Sequence, residues 1–476
     1  MKKLLCLTLA VFMLLGMVAC GGSGDAGKES TPEEQTPAAQ LEIGFGKINI
    51  TPTYSVGLGG NGTDKNRRST GLISYLFATC VAAKYGEETY LIFTIDTLSV
   101  SDELADTLRD AIIAELPDIK PEHIYLGATH CHSAPSPYWT DNEAEGKYRM
   151  EFINYMPQAA KAAVKDLAPA TMELAQFDLE GMKFVRHYIA IDGSYAGNNY
   201  GNQNIAYKEH TYDPDHEMIL VNFPREGKED VLLVNWGAHP ANPYDESIGY
   251  YNLCSDHPGW CRDELEKLTG AKVAYFNGAS GDTVPDSRVT ALAHHMNAKQ
   301  YGIKLAQMAY EHYDELKPVE VNGIKSTTRD VELDVEHEKE HLLAQCEEIR
   351  QLYIEKNDKA TADAKAIELG LSSCHHATAI VSRSKLGPTQ LREANAFSIG
   401  PVGFITGTYE MSSEHADELK EQAPFDTVFI IQGNNRYLPR EEAIDQYTYE
   451  GNTRFYTRDA ADVMVQNYVE MLGLVK

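Results

Sequence analysis

Six times in this chain an apolar run of strand length leads to a polar or ionisable side chain, in five of them through small residues. "ETYLIFTID" ends at Asp96, and "HIYLGATHCH" runs into His130 and His132. "DVLLVNWGAH" reaches His239 and "KVAYFNGASGD" reaches Asp282. "VGFITGTYE" arrives at Glu410 and "DTVFIIQGNNRY" at Tyr437. Buried strands alternating with amphipathic stretches such as "ELADTLRDAIIAEL" and "PQAAKAAVKDLA" predict an α/β protein, with mixed sheets flanked by helices. In such folds ligands gather beyond the carboxyl ends of the strands. The six coincidences therefore predict one shared cleft at those ends.

The amino terminus sets the expected compartment. "MKKLLCLTLAVFMLLGMVAC" has a positive start and an apolar run too short to span a membrane comfortably. Met17 to Cys20 has the form of a bacterial lipobox, so residues 1–19 are expected to be a signal peptide and Cys20 the lipidated, membrane-anchored end. Residues 20–40 are rich in Gly, Ser, Pro and Glu with no large apolar side chain before Leu41, the composition of a flexible tether. Residues 41–476 then form the folded, extracytoplasmic part. The formal charge of −28 argues against a nucleic-acid partner. Six cysteines beyond Cys20 form no CxxC pair, too sparse for a disulfide scaffold, though one or two bridges fit the count. A charged helical stretch at about 336–370 reads as a surface insertion.

"GATHCHSAPS" holds the sharpest chemistry. On an extended backbone residues i and i+2 point the same way, so His130 and His132 face one site. By itself HxH is compatible with half a metal site or with a satisfied polar loop. His239, Glu410 and Tyr437 at neighbouring strand ends would complete a mixed N/O set with room for water, as a catalytic zinc site requires. Other divalent metals fit a set of this kind too. Asp256, soon after His239, is placed either to orient a zinc-bound imidazole or to cap the following helix. Asp96 reads as a turn aspartate or a support for the site. "GASGD" is not a GxSxG nucleophile elbow, which sets aside a serine hydrolase built on Ser280. His294 and His295 sit in a helical run where at least one is simply exposed.

These segments carry a resemblance. "THCHSAP" resembles the "THTHSGP" segment of the neutral/alkaline ceramidase superfamily of zinc amidases. "IGFGKINITPTYSVGLGGNG", "FVRHY", "VNWGAHPA", "NGASGDTVPD", "GTYEM" and "NRYLPREEAIDQYTYEG" resemble further segments of that family, in the same order. The resemblance implies a ceramidase-like catalytic domain with one catalytic Zn2+ held by His130, His239, Glu410 and Tyr437. It also implies that His132 lies beside the reacting water, and that Arg186 and Tyr449 lie near the amide carbonyl oxygen. Without the resemblance, Arg186 reads equally as an ion-pair partner and Tyr449 as one of many packing tyrosines.

Three departures bear on the substrate. The family's active serine position is Val284, which cannot donate, accept or attack. The "PGE" carboxylate segment has become "TYE". The chain also ends soon after the last motif, so the small immunoglobulin-like C-terminal domain of larger members is expected to be missing. The expected function is therefore a lipid-anchored zinc hydrolase cleaving an amide of a non-peptide, N-acylated or lipid-like small molecule, rather than ceramide itself. The rival expectation is a ligand-binding lipoprotein on the same fold that no longer turns its ligand over.

Overall fold

A computed structural model describes residues 40–60, 67–138, 140, 142–197, 207–240, 250–285, 296–407, 409–433 and 436–476. The expected signal peptide and nearly all of the expected tether lie outside these residues, as do His294 and His295. Gln40–Lys476 form one compact unit. None of its described helices is long and apolar enough to cross a membrane.

Three mixed sheets make the frame, and each contains one parallel pair. In the first, Glu88–Ile95 runs parallel to Ile124–Ala128, and the antiparallel strands Phe77–Tyr85 and Leu41–Asn49 follow. In the second, Val231–Trp236 runs parallel to Lys272–Asn277, beside the antiparallel Glu217–Phe223 and Met172–Asp178. In the third, Val402–Gly407 runs parallel to Thr427–Gln432, beside the antiparallel Thr389–Ile399 and Ile324–Asp334. The six runs singled out in the sequence are these three parallel pairs. Their carboxyl ends supply Asp96, His130, His239, Asp282, Glu410 and Tyr437.

Side-chain alternation explains how three sheets share one centre. Successive strand residues point to opposite faces, so Tyr90 and Ile92 join the central core while Leu91, Phe93 and Ile95 face outward under helices. Ile219, Val221, Leu233, Phe276, Phe397, Phe404 and Phe429 bring the other two sheets into that same core. Tyr125 stacks on Phe397 at 4.1 Å, and Phe276 meets Phe429 edge-on at 5.4 Å, so rings from different sheets touch. Buried polar links also cross between sheets. Thr94 Oγ1 donates to the Tyr275 carbonyl at 2.5 Å, and Asn235 exchanges two bonds with the Ile430 backbone at 2.8 and 3.1 Å.

Helices cover the outer faces. α1 (Asp102–Glu115) and α2 (Glu143–Lys165) lie on the first sheet, and α3 (Asp256–Thr269) and α4 (Ala298–Glu311) on the second. Close contact with α2 explains Gly44 and Gly46: a Cβ on either would meet a helix carbonyl at 2.0 or 2.2 Å. The charged stretch expected as one helix breaks into α5 (Leu343–Ile354) and α6 (Lys359–Glu368), and continues through α7 (Cys374–Arg383). These three helices bury Cys346, Ile349, Ala362, Ala366, Ala377 and Ile380 in a small core of their own. α8 (Ser413–Gln422), the short α9 (Glu441–Asp445) and α10 (Tyr449–Thr453), and the C-terminal α11 (Ala460–Val475) complete the chain. α8 and α11 cover the third sheet. The six cysteines beyond Cys20 are all buried free thiols, so no bridge forms among them.

Candidate metal centre

His130, His132 and His239 converge with their ligand-capable nitrogens within 4.8 Å of one another, all buried. The route differs from the extended one expected. The strand stops at Ala128, and His130 has φ 61°, in the left-handed region. The two imidazoles meet because the chain turns at His130, their ring centroids 5.0 Å apart, and strand parity plays no part. Cys131 between them points elsewhere, donating its Sγ–H to the Cys254 carbonyl at 2.7 Å.

Backbone carbonyls orient the rings. His130 Nδ1 lies 2.9 Å from the Leu98 carbonyl, and His239 Nδ1 lies 3.2 Å from that of Ser280. Each Nδ1 therefore carries the proton, which leaves the Nε2 lone pair facing inward. His239 Nε2 is 3.0 Å from His132 Nε2. Glu410 enters from the segment that follows the third-sheet strand Val402–Gly407, its Oε2 3.4 Å from His130 Nε2 and 3.7 Å from His239 Nδ1. Tyr437 is paired with Glu410 in a two-stranded parallel ribbon, and its hydroxyl bonds the Glu410 carboxylate.

The electrostatics suit a cation. Burial pushes His130 down to about 3 and holds His132 and His239 well below the usual imidazole range, so all three are neutral. Burial pushes the Glu410 carboxyl up to about 8, against the pull of the Arg186 guanidinium. His130 Nε2 and Glu410 Oε2 make no hydrogen bond among the described residues. Two buried acceptors facing each other at 3.4 Å are costly unless a proton or a cation lies between them. Two or three neutral imidazoles with a carboxylate and a phenol are a donor set that suits zinc.

Arg186 lies behind this group. Its guanidinium pairs with Glu450, donates to the Gly281 carbonyl at 2.8 Å and reaches the Tyr437 hydroxyl at 3.5 Å. Glu450 Oε2 also accepts from His187 Nε2 at 3.1 Å, and His187 Nδ1 receives Arg440 Nη2 at 3.1 Å. Arg440 Nε lies 3.2 Å from Asp282 Oδ2, and Asp282 Oδ1 accepts the Ser413 backbone N–H at 2.9 Å. Burial opposes the ionised form of Glu450, yet Arg186 and His187 together hold its carboxyl far below the usual range. Glu450, His187 and Arg440 went unnoticed in the sequence, although "RHY" and "YEG" contain two of them.

Tyr449 stands edge-on to Tyr437 at 5.7 Å and edge-on to His375 of α7 at 5.6 Å, so the inserted helices pack against the site. Gly60, at φ 96°, comes so close to His132 that a Cβ there would lie 2.6 Å from the ring Cγ. Val284 is partly buried and pairs with Phe184, two residues before Arg186. Ser280 Oγ donates to Gln432 at 2.6 Å and, among the described residues, bonds no general base. Asp256 bonds the His257 N–H at 2.7 Å and touches none of the three imidazoles, so its place is at the start of α3. Asp96 pairs with Arg262 at 2.9 Å and accepts from the backbone of Phe77, a structural turn next to Thr129.

The chain has the fold of neutral ceramidase. The crystal structure of neutral ceramidase from Pseudomonas aeruginosa superposes with a TM-score of 0.67 at 15% identity, over 91% of this chain and 74% of that one. A structure described as ceramidase complexed with C2 gives 0.65 at 15% identity, over 91% and 75%. No protein-family model matches the chain, and no curated protein is similar to it in sequence.

Proposed function

We propose that this protein is a zinc-dependent amidohydrolase, tethered outside the cytoplasm through a lipidated Cys20 and acting on the amide of an N-acylated, lipid-like or other non-peptide small molecule. The reading rests above all on one observation: His130 and His239 from the ends of two sheets meet Glu410 from beyond the end of a third in a buried, neutral-imidazole pocket. The ceramidase fold agrees with it. His130, His239, Glu410 and Tyr437 would hold the ion. When bound, zinc polarises a carbonyl oxygen and acidifies water.

The remaining work falls to the chain's own side chains. His132, a neutral imidazole with its Nε2 toward His239, would take the proton released by the attacking water and deliver it to the leaving nitrogen. Arg186, fixed by Glu450, steadies the Tyr437 hydroxyl and places positive charge behind it. Tyr449 lines the wall between Tyr437 and the inserted helices and offers a hydroxyl to the substrate carbonyl. With valine at position 284, the substrate contact supplied by serine in the resembling family is missing, which favours an amide other than ceramide.

The test is hydrolysis of a panel of short- and long-chain N-acyl amides by the protein stripped with chelator and by the same protein resupplied with zinc. Turnover restored by zinc is expected. Zinc bound at the centre with no turnover of any amide would make it a binding protein on this fold. Gly60→Ala supplies a finer check. By pushing the His132 ring aside it should lower turnover by about 100-fold while the metal content stays unchanged.

A further inference from the structure

A second group of ligand-type side chains lies outside the candidate centre. His415 and Glu418 on α8 and Asp462 in the first turn of α11 bring one ligand atom each within 4.8 Å of one another. The spacing has a local cause: residues three apart share a helix face, so His415 and Glu418 both look toward α11.

The imidazole is fixed in advance. His415 is buried, with 6% of its surface exposed, and its Nδ1 bonds Ser412 Oγ at 2.7 Å. A ring bonded through one nitrogen presents the other in a set direction, as in histidines that ligate metals. Here Nε2 makes no hydrogen bond among the described residues and is aimed at Asp462 Oδ1, 3.7 Å away, beyond hydrogen-bond reach. The carboxylates lack compensating charge. Among the described residues Glu418 has no ion pair, and Asp462 has only His415. Glu414 and Glu421 add to the negative field around Glu418.

From this geometry we infer that His415, Glu418 and Asp462 form a second cation site, which takes a first-row divalent transition ion. Two carboxylates match its charge. The imidazole favours zinc, cobalt or nickel over calcium and magnesium, which prefer oxygen alone. Water completes the coordination on the exposed side. The site ties α8 to the amino-terminal turn of α11, with His415 five residues along the chain from Glu410.

The experiment is zinc stoichiometry of the full chain, stripped with chelator, resupplied with zinc alone and freed of excess. His415→Ala, His239→Ala and the double variant are measured alongside. His415→Ala is expected to remove one equivalent of zinc in both the wild-type and the His239→Ala backgrounds. Full stoichiometry retained by His415→Ala in both would overturn the inference. Asp462→Asn, an exposed change that leaves the fold alone, should weaken zinc at this site at least about tenfold, and an unchanged affinity would overturn it equally. Loss of zinc on changing His415 but not His239 would support this site and sink the reading of the candidate centre.

Discussion

His239→Ala is expected to empty the candidate centre of its ion and to abolish amide hydrolysis. His239 is one of two imidazoles within 4 Å of Glu410 Oε2, and its loss leaves His130 and Glu410 facing each other with too few donors. Support groups around a metal typically cost 10- to 100-fold in affinity when removed. A ligand should cost more than about 100-fold. The measurement is zinc content by elemental mass spectrometry, with affinity by competition against a chelating dye. The change should amount to one equivalent, leaving any ion at His415 in place. Unaltered zinc content and turnover in His239→Ala would remove the basis of the proposed mechanism.

Glu450→Gln should destabilise the protein by about 3–5 kcal/mol, because removing one partner of a buried pair strands the other charge. Glu450 is almost wholly buried, and Arg186 and His187 both depend on it. Gln preserves the volume, so a cavity is not the cause. The sign of the pH effect follows from the depressed carboxyl. The stabilisation is fully present above the ordinary carboxylate pKa of about 4.3 and is lost only as pH falls through the lower folded value. Urea unfolding at neutral pH should therefore show the full loss. Arg186→Met combined with Glu450→Gln removes both charges and should recover part of it. A double variant no more stable than Glu450→Gln alone would mean that the pair is not the source.

Much of this site was legible because strand ends advertise themselves. Apolar runs that end in a polar group describe three parallel pairs, and the ring nitrogens of His130 and His239 meet beyond the carboxyl ends of two of them. The backbone at His130 was not legible. Alternation along a strand says nothing of the residue where the strand stops, and histidine carries only a weak signal for the left-handed turn it makes here. The Glu450 network was hidden for another reason. Its members lie 264 positions apart in the case of Arg186, and a glutamate at the start of a short helix looks like any helix-favouring acid. The break between α5 and α6 at Asn357, with φ 53°, escaped because charged helix formers continue on both sides of it.

The left-handed backbone at His130 has an economic meaning for the chain. A side chain with a Cβ held there costs about 1–2 kcal/mol, and glycine would sit at that position without strain. The backbone by itself would favour glycine there, while the buried ring and its bond to the Leu98 carbonyl hold the imidazole in place. A lineage drifting free of chemistry would be under no constraint to keep an imidazole in that strained conformation. The strain is thus a standing charge on holding Nε2 toward Glu410, and a decayed relative of this protein would be free to relax the backbone at residue 130.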